Sequence, residues 1–356
     1  MTSIKTDRVH FQTFDALRFL SFLLVFLHHS PIPATHFLHK ISQAGGIGVS
    51  FFFVLSGFLI TYLLILEKLN SKDTISLPKF FIRRILRIWP LYYAMVLFAF
   101  CTPYILNLLH LSASDEGYEP QWFFTLTFLE NYVMMYTDSF PNVSPLRVMW
   151  SLCIEEHFYI IWGVVFSIIS LKNIPKFLVG SILFTIISRV VYQNLNLLTG
   201  DILTNIGYFA FGGIPAYLFV FKLNIIEKLA QIPALYKYIF ALFTMIVIIV
   251  DSNYFALSDL SNFLLFATLF SLLILCTLGD KNVFKISDKT ILAFLGKYTY
   301  GLYLFHTIFI NLFLKMGSMY NLHWFTIIVL SLLFTIISSY ISYHLFEKRF
   351  LKLKMY

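Results

Sequence analysis

Residues 45–64 read GGIGVSFFFVLSGFLITYLL, twenty consecutive positions without a charged side chain. About 20 apolar residues in a helix cross the roughly 30 Å hydrocarbon core of a bilayer, and a helix lets such a run satisfy its own backbone there. Comparable runs recur on both sides of this one, parted by short charged or Pro/Gly-containing stretches. We place spans at 14–31, 46–66, 88–111, 148–170, 176–194, 202–220, 236–252, 259–279, 290–314 and 323–346. The expected fold is all-α: a polytopic integral membrane protein of about ten transmembrane helices, forming a single domain over 1–356 with no appended soluble domain. Composition agrees, since 59% hydrophobic residues, 12% charged residues and 41 Phe leave too little polar material to cover a soluble particle of this size.

Charge tests the count. With the N-terminus inside, 20 of the 26 Lys and Arg fall in inside segments. Three (Lys40, Arg147, Lys315) fall outside, and three (Arg18, Arg189, Lys297) lie within spans. That asymmetry is the positive-inside pattern, and it predicts a multi-pass cell-membrane protein with both termini cytoplasmic. It also turns the net charge of +8 away from nucleic acid. The opening MTSIKTDRVHFQTF is polar and no small-residue cleavage site follows the first apolar segment, so that segment is expected to stay as a helix. Cys101, Cys153 and Cys276 sit in apolar segments without paired spacing and read as small core residues, not as a disulfide or zinc framework.

The most basic inside stretch, 67–87, ends in an amphipathic FIRRILRIWP leading into the third span. The longest outside segment, 112–147, starts acidic (Asp115, Glu116, Glu119), and its QWFFTLTFLENYVMMY is too short for a full span. A short or re-entrant helix is expected there.

Ionisable groups at membrane depth mark where chemistry could sit, because each costs on the order of 2.5–3.5 kcal/mol to insert. In FDALRFLSFLLVFLHHS, Arg18 and His29 are eleven residues apart, hence on one helix face and separated by about 16 Å along the axis. The plainer reading has Arg18 snorkelling to the inner headgroups and one His packing. Gly45, Gly46, Gly48 and Gly57 suit close helix packing, with Ser56 placed to border a ligand. In RRILRIWPLYY, Arg83, Arg84 and Arg87 occupy about one turn at the inner surface. Planar guanidinium forks fit phosphate, although lipid headgroups would use the same residues.

In MWSLCIEEHFYIIW, Ser151 and Glu155 are one turn apart, beside Glu156 and His157. Carboxylates next to an imidazole suit acid–base work, or ordinary solvation at an interface. In LGKYTYGLYLFHTIF, Lys297 near the inner end could join the arginines, while His306 lies about 13 to 14 Å further out, as a site residue or a satisfied core histidine. The final YHLFEKRFLKLK reads as topology.

Taken together, these elements resemble the acyltransferase-3 family, the integral membrane O-acyltransferases that decorate bacterial surface polysaccharides and other exported acceptors. Arg18 followed by ten residues and His29, then GVSFFFVLSGFLI, RRILRIWPLYY, WSLCIEEHFY and GKYTYGLYLFH, match its landmarks in order over residues 11 to 350. His157 stands where Gln is common, and Thr299 where Ser is usual. Many relatives carry a C-terminal hydrolase-like domain; this chain is expected to act alone or to hand its acyl group to a separate extracytoplasmic transferase.

The resemblance implies transfer of an acyl group, acetyl above all, from cytosolic acyl-CoA as cosubstrate to a hydroxyl of a carbohydrate or glycolipid. Arg83, Arg84 and Arg87, with Lys297, would hold the coenzyme A phosphates. His29 would be the catalytic base, with Arg18 on its helix face and Glu155 orienting the ring or stabilising its imidazolium. Ser151, Glu156 and His306 would border substrate. A covalent acyl-His route stays open beside direct transfer. The rival from another class is a transporter or flippase using the intramembrane Arg, His and Glu as a relay. Against it, the sequence shows no inverted repeat.

Overall fold

The computed structural model describes residues 8–108, 116–255 and 257–353. Lys5, Asp115, Lys354 and positions 109–111 of the third expected span lie outside them. Ten long helices form where the apolar runs predict them: α1 Gln12–His29, α2 Gly45–Asn70, α3 Leu77–Leu108, α4 Trp150–Ile168, α5 Ile174–Asn194, α6 Ile202–Phe221, α7 Ala234–Val250, α8 Asp259–Thr277, α9 Thr299–Tyr320 and α10 Trp324–Ser342. Among the described residues, nine helices are long and apolar enough to cross a membrane. The remaining expected span, α1, has Asp15, Arg18, His28 and His29 within its 18 residues, so polar groups dilute its apolar run.

Contacts between loops confirm the two-sided alternation. On the side assigned inside, His10 pairs with Asp288 at 3.0 Å, the Ile286 amide donates to Thr13 Oγ1 at 3.1 Å, and the Asp280 amide donates to Glu227 Oε1 at 2.9 Å. On the other side, Lys40 Nζ donates to Tyr254 Oη at 2.5 Å, Asn131 Nδ2 to the Gly200 carbonyl at 3.1 Å, and Thr199 Oγ1 to Asp259 Oδ1 at 3.2 Å. Each bond joins two segments that the positive-inside pattern had put on one side.

At the centre of the bundle α2 packs on α6, and the most apolar window of each is 72% buried. Glycines make that contact. A Cβ at Gly57 would stand 2.1 Å from the Phe209 carbonyl oxygen, and one at Gly212 would stand 1.9 Å from that of Val54. Lipid gives little hydrophobic drive between helices, so such backbone approach supplies the packing. At the periphery, α5, α7 and α10 bury only 28%, 22% and 28% of their windows. Cys101 is exposed on α3 rather than in the core, whereas Cys153 is buried.

Two expected boundaries move. The basic stretch before the third span is itself helical, and α3 begins at Leu77. Its 32 residues rise about 48 Å, well beyond the hydrocarbon, so its arginine-bearing start projects from the inner surface. The ninth span is broken: Ile291–Gly296 forms a short helix, Lys297 and Tyr298 turn, and α9 starts at Thr299. Gly296 presses on α1, where a Cβ would stand 1.8 Å from the Asp15 carbonyl oxygen.

The outer segment forms two short helices, Trp122–Leu126 and Glu130–Thr137, as its length required. Glu130 is fully buried between them, accepting from Tyr118 Oη and Thr125 Oγ1, each at 2.5 Å. Burial, and then this carboxylate, raise the Tyr118 phenol above its ordinary value, so it stays a donor. Gly117, at φ +98°, turns the chain where a Cβ would stand 2.0 Å from the Phe140 carbonyl oxygen.

Candidate active site

The inner cations sort by partner. Arg18 Nη1 donates to Asp15 Oδ1 at 2.7 Å, three residues back on the same helix face. Arg83 Nη2 donates to Glu67 Oε2 at 2.9 Å across α2 and α3. Arg84 keeps unused capacity. Its Nε is buried without a hydrogen-bond partner, and its guanidinium lies 5.7 Å from the centre of the Tyr159 ring and 6.0 Å from that of Phe80. Arg87 is exposed and forms no ion pair among the described residues. Lys297 is exposed in the turn before α9, with no ion pair to bring it into the arginine group. On this side a depression of about 390 Å³ reaches Arg18 between the start of α1 and α2; Arg8, Phe11 and Tyr62 also line it.

Glu155 organises these charges. Its Oε1 accepts from Ser56 Oγ on α2 at 2.8 Å and from Tyr159 Oη one turn along α4. Both Arg18 and Arg84 lie within its electrostatic reach, and Arg87 interacts with each of them. Glu155 thus adds a carboxylate near the arginine group without an ion pair to it among the described residues, and its hydrogen bonds go to Ser56 and Tyr159, not to His29, the partner expected for it. Glu156 points elsewhere, as a turn of about 100° per residue requires. Its Oε2 accepts from Trp89 Nε1 on α3 at 3.2 Å, while Oε1 is buried without a partner.

His29 ends α1 on the outer side, exposed, with Nδ1 held 2.9 Å from the Val25 carbonyl oxygen. A carbonyl can only accept, so Nδ1 carries the proton and a neutral ring presents Nε2 as a bare lone pair. The neighbouring His28 is used otherwise: its Nδ1 donates to the Ser42 carbonyl at 2.9 Å, and its Cβ fills the space beside Gly45. Behind His29 stands His306 on α9, fully buried, with ring centroids 5.1 Å apart at 71°. The Tyr303 carbonyl fixes the His306 tautomer in the same way, at 2.6 Å from Nδ1, and leaves His306 Nε2 buried without a partner.

Ser151 links the two groups. Its Oγ lies 2.7 Å from Tyr303 Oη, which donates to the Val148 carbonyl at 2.9 Å. Ser151, Glu155 and Tyr159 recur every four residues down one face of α4. A polar seam therefore runs from Arg84, Arg87 and Arg18 past Glu155, Ser56 and Tyr159 to Ser151, Tyr303, His306 and His29. Tyr159 and Arg147 carry no role in the sequence reading. Tyr159 could have been found from its spacing to Glu155, whereas Arg147 had no local signal. Arg147 lies on the outer 3₁₀ turn Ser144–Val148, which is bonded to Tyr303 and Thr307 on either side of His306.

A family described as an acyltransferase domain matches residues 11–344. Among curated proteins, the peptidoglycan O-acetyltransferase OatA of Listeria monocytogenes is 35% identical over 48% of this chain and 27% of its own length. YrhL of Bacillus subtilis, provisionally named a peptidoglycan O-acetyltransferase, is 35% identical over 42% of this chain and 22% of its own. A Staphylococcus aureus protein provisionally named an O-acetyltransferase is 26% identical over 82% of this chain and 49% of its own. The chain thus spans half or less of the length of each of these relatives. No solved structure matches it.

Proposed function

Because the chain belongs to the acyltransferase family whose domain covers residues 11–344, we propose that it is an O-acetyltransferase that passes acetyl from acetyl-CoA on the cytosolic side of the cell membrane to a hydroxyl of an exported glycan. The observation that carries this reading is His29: a histidine with its Nε2 lone pair free, at the outer end of a polar seam that starts in partner-poor arginines.

Arg84 and Arg87 hold the coenzyme A phosphates, since Arg83 and Arg18 already answer Glu67 and Asp15. The depression beside Arg18 takes part of the nucleotide, and Lys297 contributes field at the rim. Glu155 keeps the unloaded cluster from carrying its positive charge uncompensated. The pantetheine arm follows the seam past Ser56 and Ser151, delivering the thioester to His29, which stands about 16 Å beyond Arg18 along α1.

There His29 Nε2 takes the proton of the acceptor hydroxyl as its oxygen attacks the thioester carbonyl. The tetrahedral intermediate collapses with cleavage of the C–S bond, and the imidazolium returns the proton to the departing thiolate. The same nitrogen could instead take the acetyl group first and pass it to the hydroxyl, so a covalent intermediate is the question to test within this reading. The acceptor is a glycan of the peptidoglycan kind, by analogy with what the relatives' names say of them. The acetyl reaches it directly or through a separate extracytoplasmic transferase.

The test uses purified protein in nanodiscs with radiolabelled acetyl-CoA and peptidoglycan glycan strands. Label appears on the glycan with the wild type and is lost with His29→Ala, while the variant keeps the wild-type elution profile and melting curve. Transfer retained by His29→Ala refutes the assignment. Movement of an unmodified solute across the membrane without acetyl transfer would favour a transporter.

A further inference from the structure

The outer 3₁₀ turn Ser144–Val148 is stapled across one turn of α9. Tyr303 Oη donates to the Val148 carbonyl at 2.9 Å, and Thr307 Oγ1 donates to the Ser144 carbonyl at 3.2 Å. Between these two staples on α9 lies His306, whose ring backs His29. The turn is therefore part of the wall beside the reacting nitrogen, on the side from which an outside acceptor arrives. Hydrogen-bonding capacity is unmet here twice: Ser144 Oγ and His306 Nε2 are both buried without a partner. Buried polar atoms left without a partner are costly, so their presence in this wall marks it as built for more than packing.

The turn also carries a cation. Arg147 is one of three Lys or Arg on the outer side, with Lys40 and Lys315, and it is the one carried on the turn that flanks His306, whose ring stands behind His29. Lys40 is occupied elsewhere, by Tyr254 beyond the end of α7. The arginine is positioned but not consumed. Its guanidinium lies 5.8 Å from the centre of the Phe140 ring, and its carboxylate contact, Glu116 Oε2, stands 3.8 Å away on a side chain that is 81% exposed. A pair that long and that wet holds its partners weakly. An anion brought by a ligand, with the planar fork to receive it, would displace it.

We propose that Arg147 makes the outer mouth selective for acceptors carrying a negative group, a carboxylate or a phosphate, close to the hydroxyl that is acetylated. This rests on the transfer function proposed above. Arg147 sets which acceptor is held at His29 and takes no part in the proton or acetyl transfer.

Matched acceptors that differ in charge provide the test. The full chain in neutral-lipid nanodiscs is given labelled acetyl-CoA and one of four acceptors. These are a peptidoglycan-derived tetrasaccharide with free lactyl carboxylates, its methyl ester, maltotetraose 6-phosphate, and maltotetraose. The readout is the ratio of kcat/KM for the charged over the neutral member of each pair. In the wild type this ratio is expected to be about tenfold to a hundredfold in at least one pair and to shrink with added salt, as a charge-assisted contact requires. Which pair shows it distinguishes carboxylate from phosphate. Arg147→Ala brings the ratio to about one, Arg147→Lys keeps part of it, and KM for acetyl-CoA does not move. A wild-type ratio near one in both pairs overturns the inference while leaving the transfer function standing. So does an Arg147→Ala ratio equal to that of the wild type. Failure of the wild type to acetylate any of the four refutes both.

Discussion

Gly57→Ala tests whether the central helix contact also holds the site together. An added Cβ would stand 2.1 Å from the Phe209 carbonyl oxygen and 2.5 Å from its Cα, both backbone atoms that no rotamer change can move. It falls about 1.3 Å short of ordinary contact, so α2 and α6 must part or shift by about that much. Ser56, the preceding residue, travels with the strained turn. Its 2.8 Å bond to Glu155 would stretch beyond hydrogen-bond range, loosening a carboxylate that lies near Arg18 and Arg84. Overpacking of this kind costs about 1–3 kcal/mol.

Gly46→Ala is the matched control, because nothing lies within 4 Å of the Cβ it would add. Unfolding in mixed micelles, read by tryptophan fluorescence, should place Gly57→Ala below the wild type by that margin and Gly46→Ala beside it. Acetyl transfer should fall in Gly57→Ala by more than the loss of folded protein explains. Ser56→Ala should reproduce the activity loss without most of the destabilisation. If Gly57→Ala and Gly46→Ala match in both stability and activity, helix approach at this glycine does not set the geometry of Glu155.

Three further outcomes can be measured on the same preparations. Arg84→Ala should raise KM for acetyl-CoA about tenfold or more, since one charge-assisted phosphate contact is worth about 1.5–3 kcal/mol, whereas Arg83→Ala, whose side chain already answers Glu67, should act mainly through stability; equal KM effects would contradict that division. Labelled acetyl-CoA given without acceptor should leave label on the wild type but not on His29→Ala if an acyl-histidine forms, and on neither if transfer is direct; the proton-only role fails if the label maps to His29. Arg189→Ala should destabilise the bundle by about 1–3 kcal/mol, because Arg189, 5% exposed, ties α5 to the Thr204 carbonyl at 2.8 Å and to the partly exposed Asp259 at 2.7 Å; a melting curve unchanged from the wild type would show this knot to be dispensable.

The sequence by itself determined the spans and their alternation, because a bilayer admits only apolar runs of sufficient length with internally bonded backbones, and basic residues stay on one side. It also determined relations within one helix. Arg18 and His29 lie on α1 eleven positions apart, and Ser151 and Glu155 share a face of α4, since 3.6 residues per turn fixes both. Tertiary structure alone decided which helices meet and at what register. Periodicity could not show that Glu155 would turn to Ser56, Tyr159 and the arginines instead of His29, because that depends on how far α2 approaches its neighbours at Gly57 and Gly212. Nor could it show that the ninth span breaks at Lys297, beside the point where Gly296 lies on the backbone of α1. Arg147 is the clearest case. One basic residue in a long outer segment carries no local pattern, and its turn reaches the wall behind His29 only because Tyr303 and Thr307 fasten it across α9.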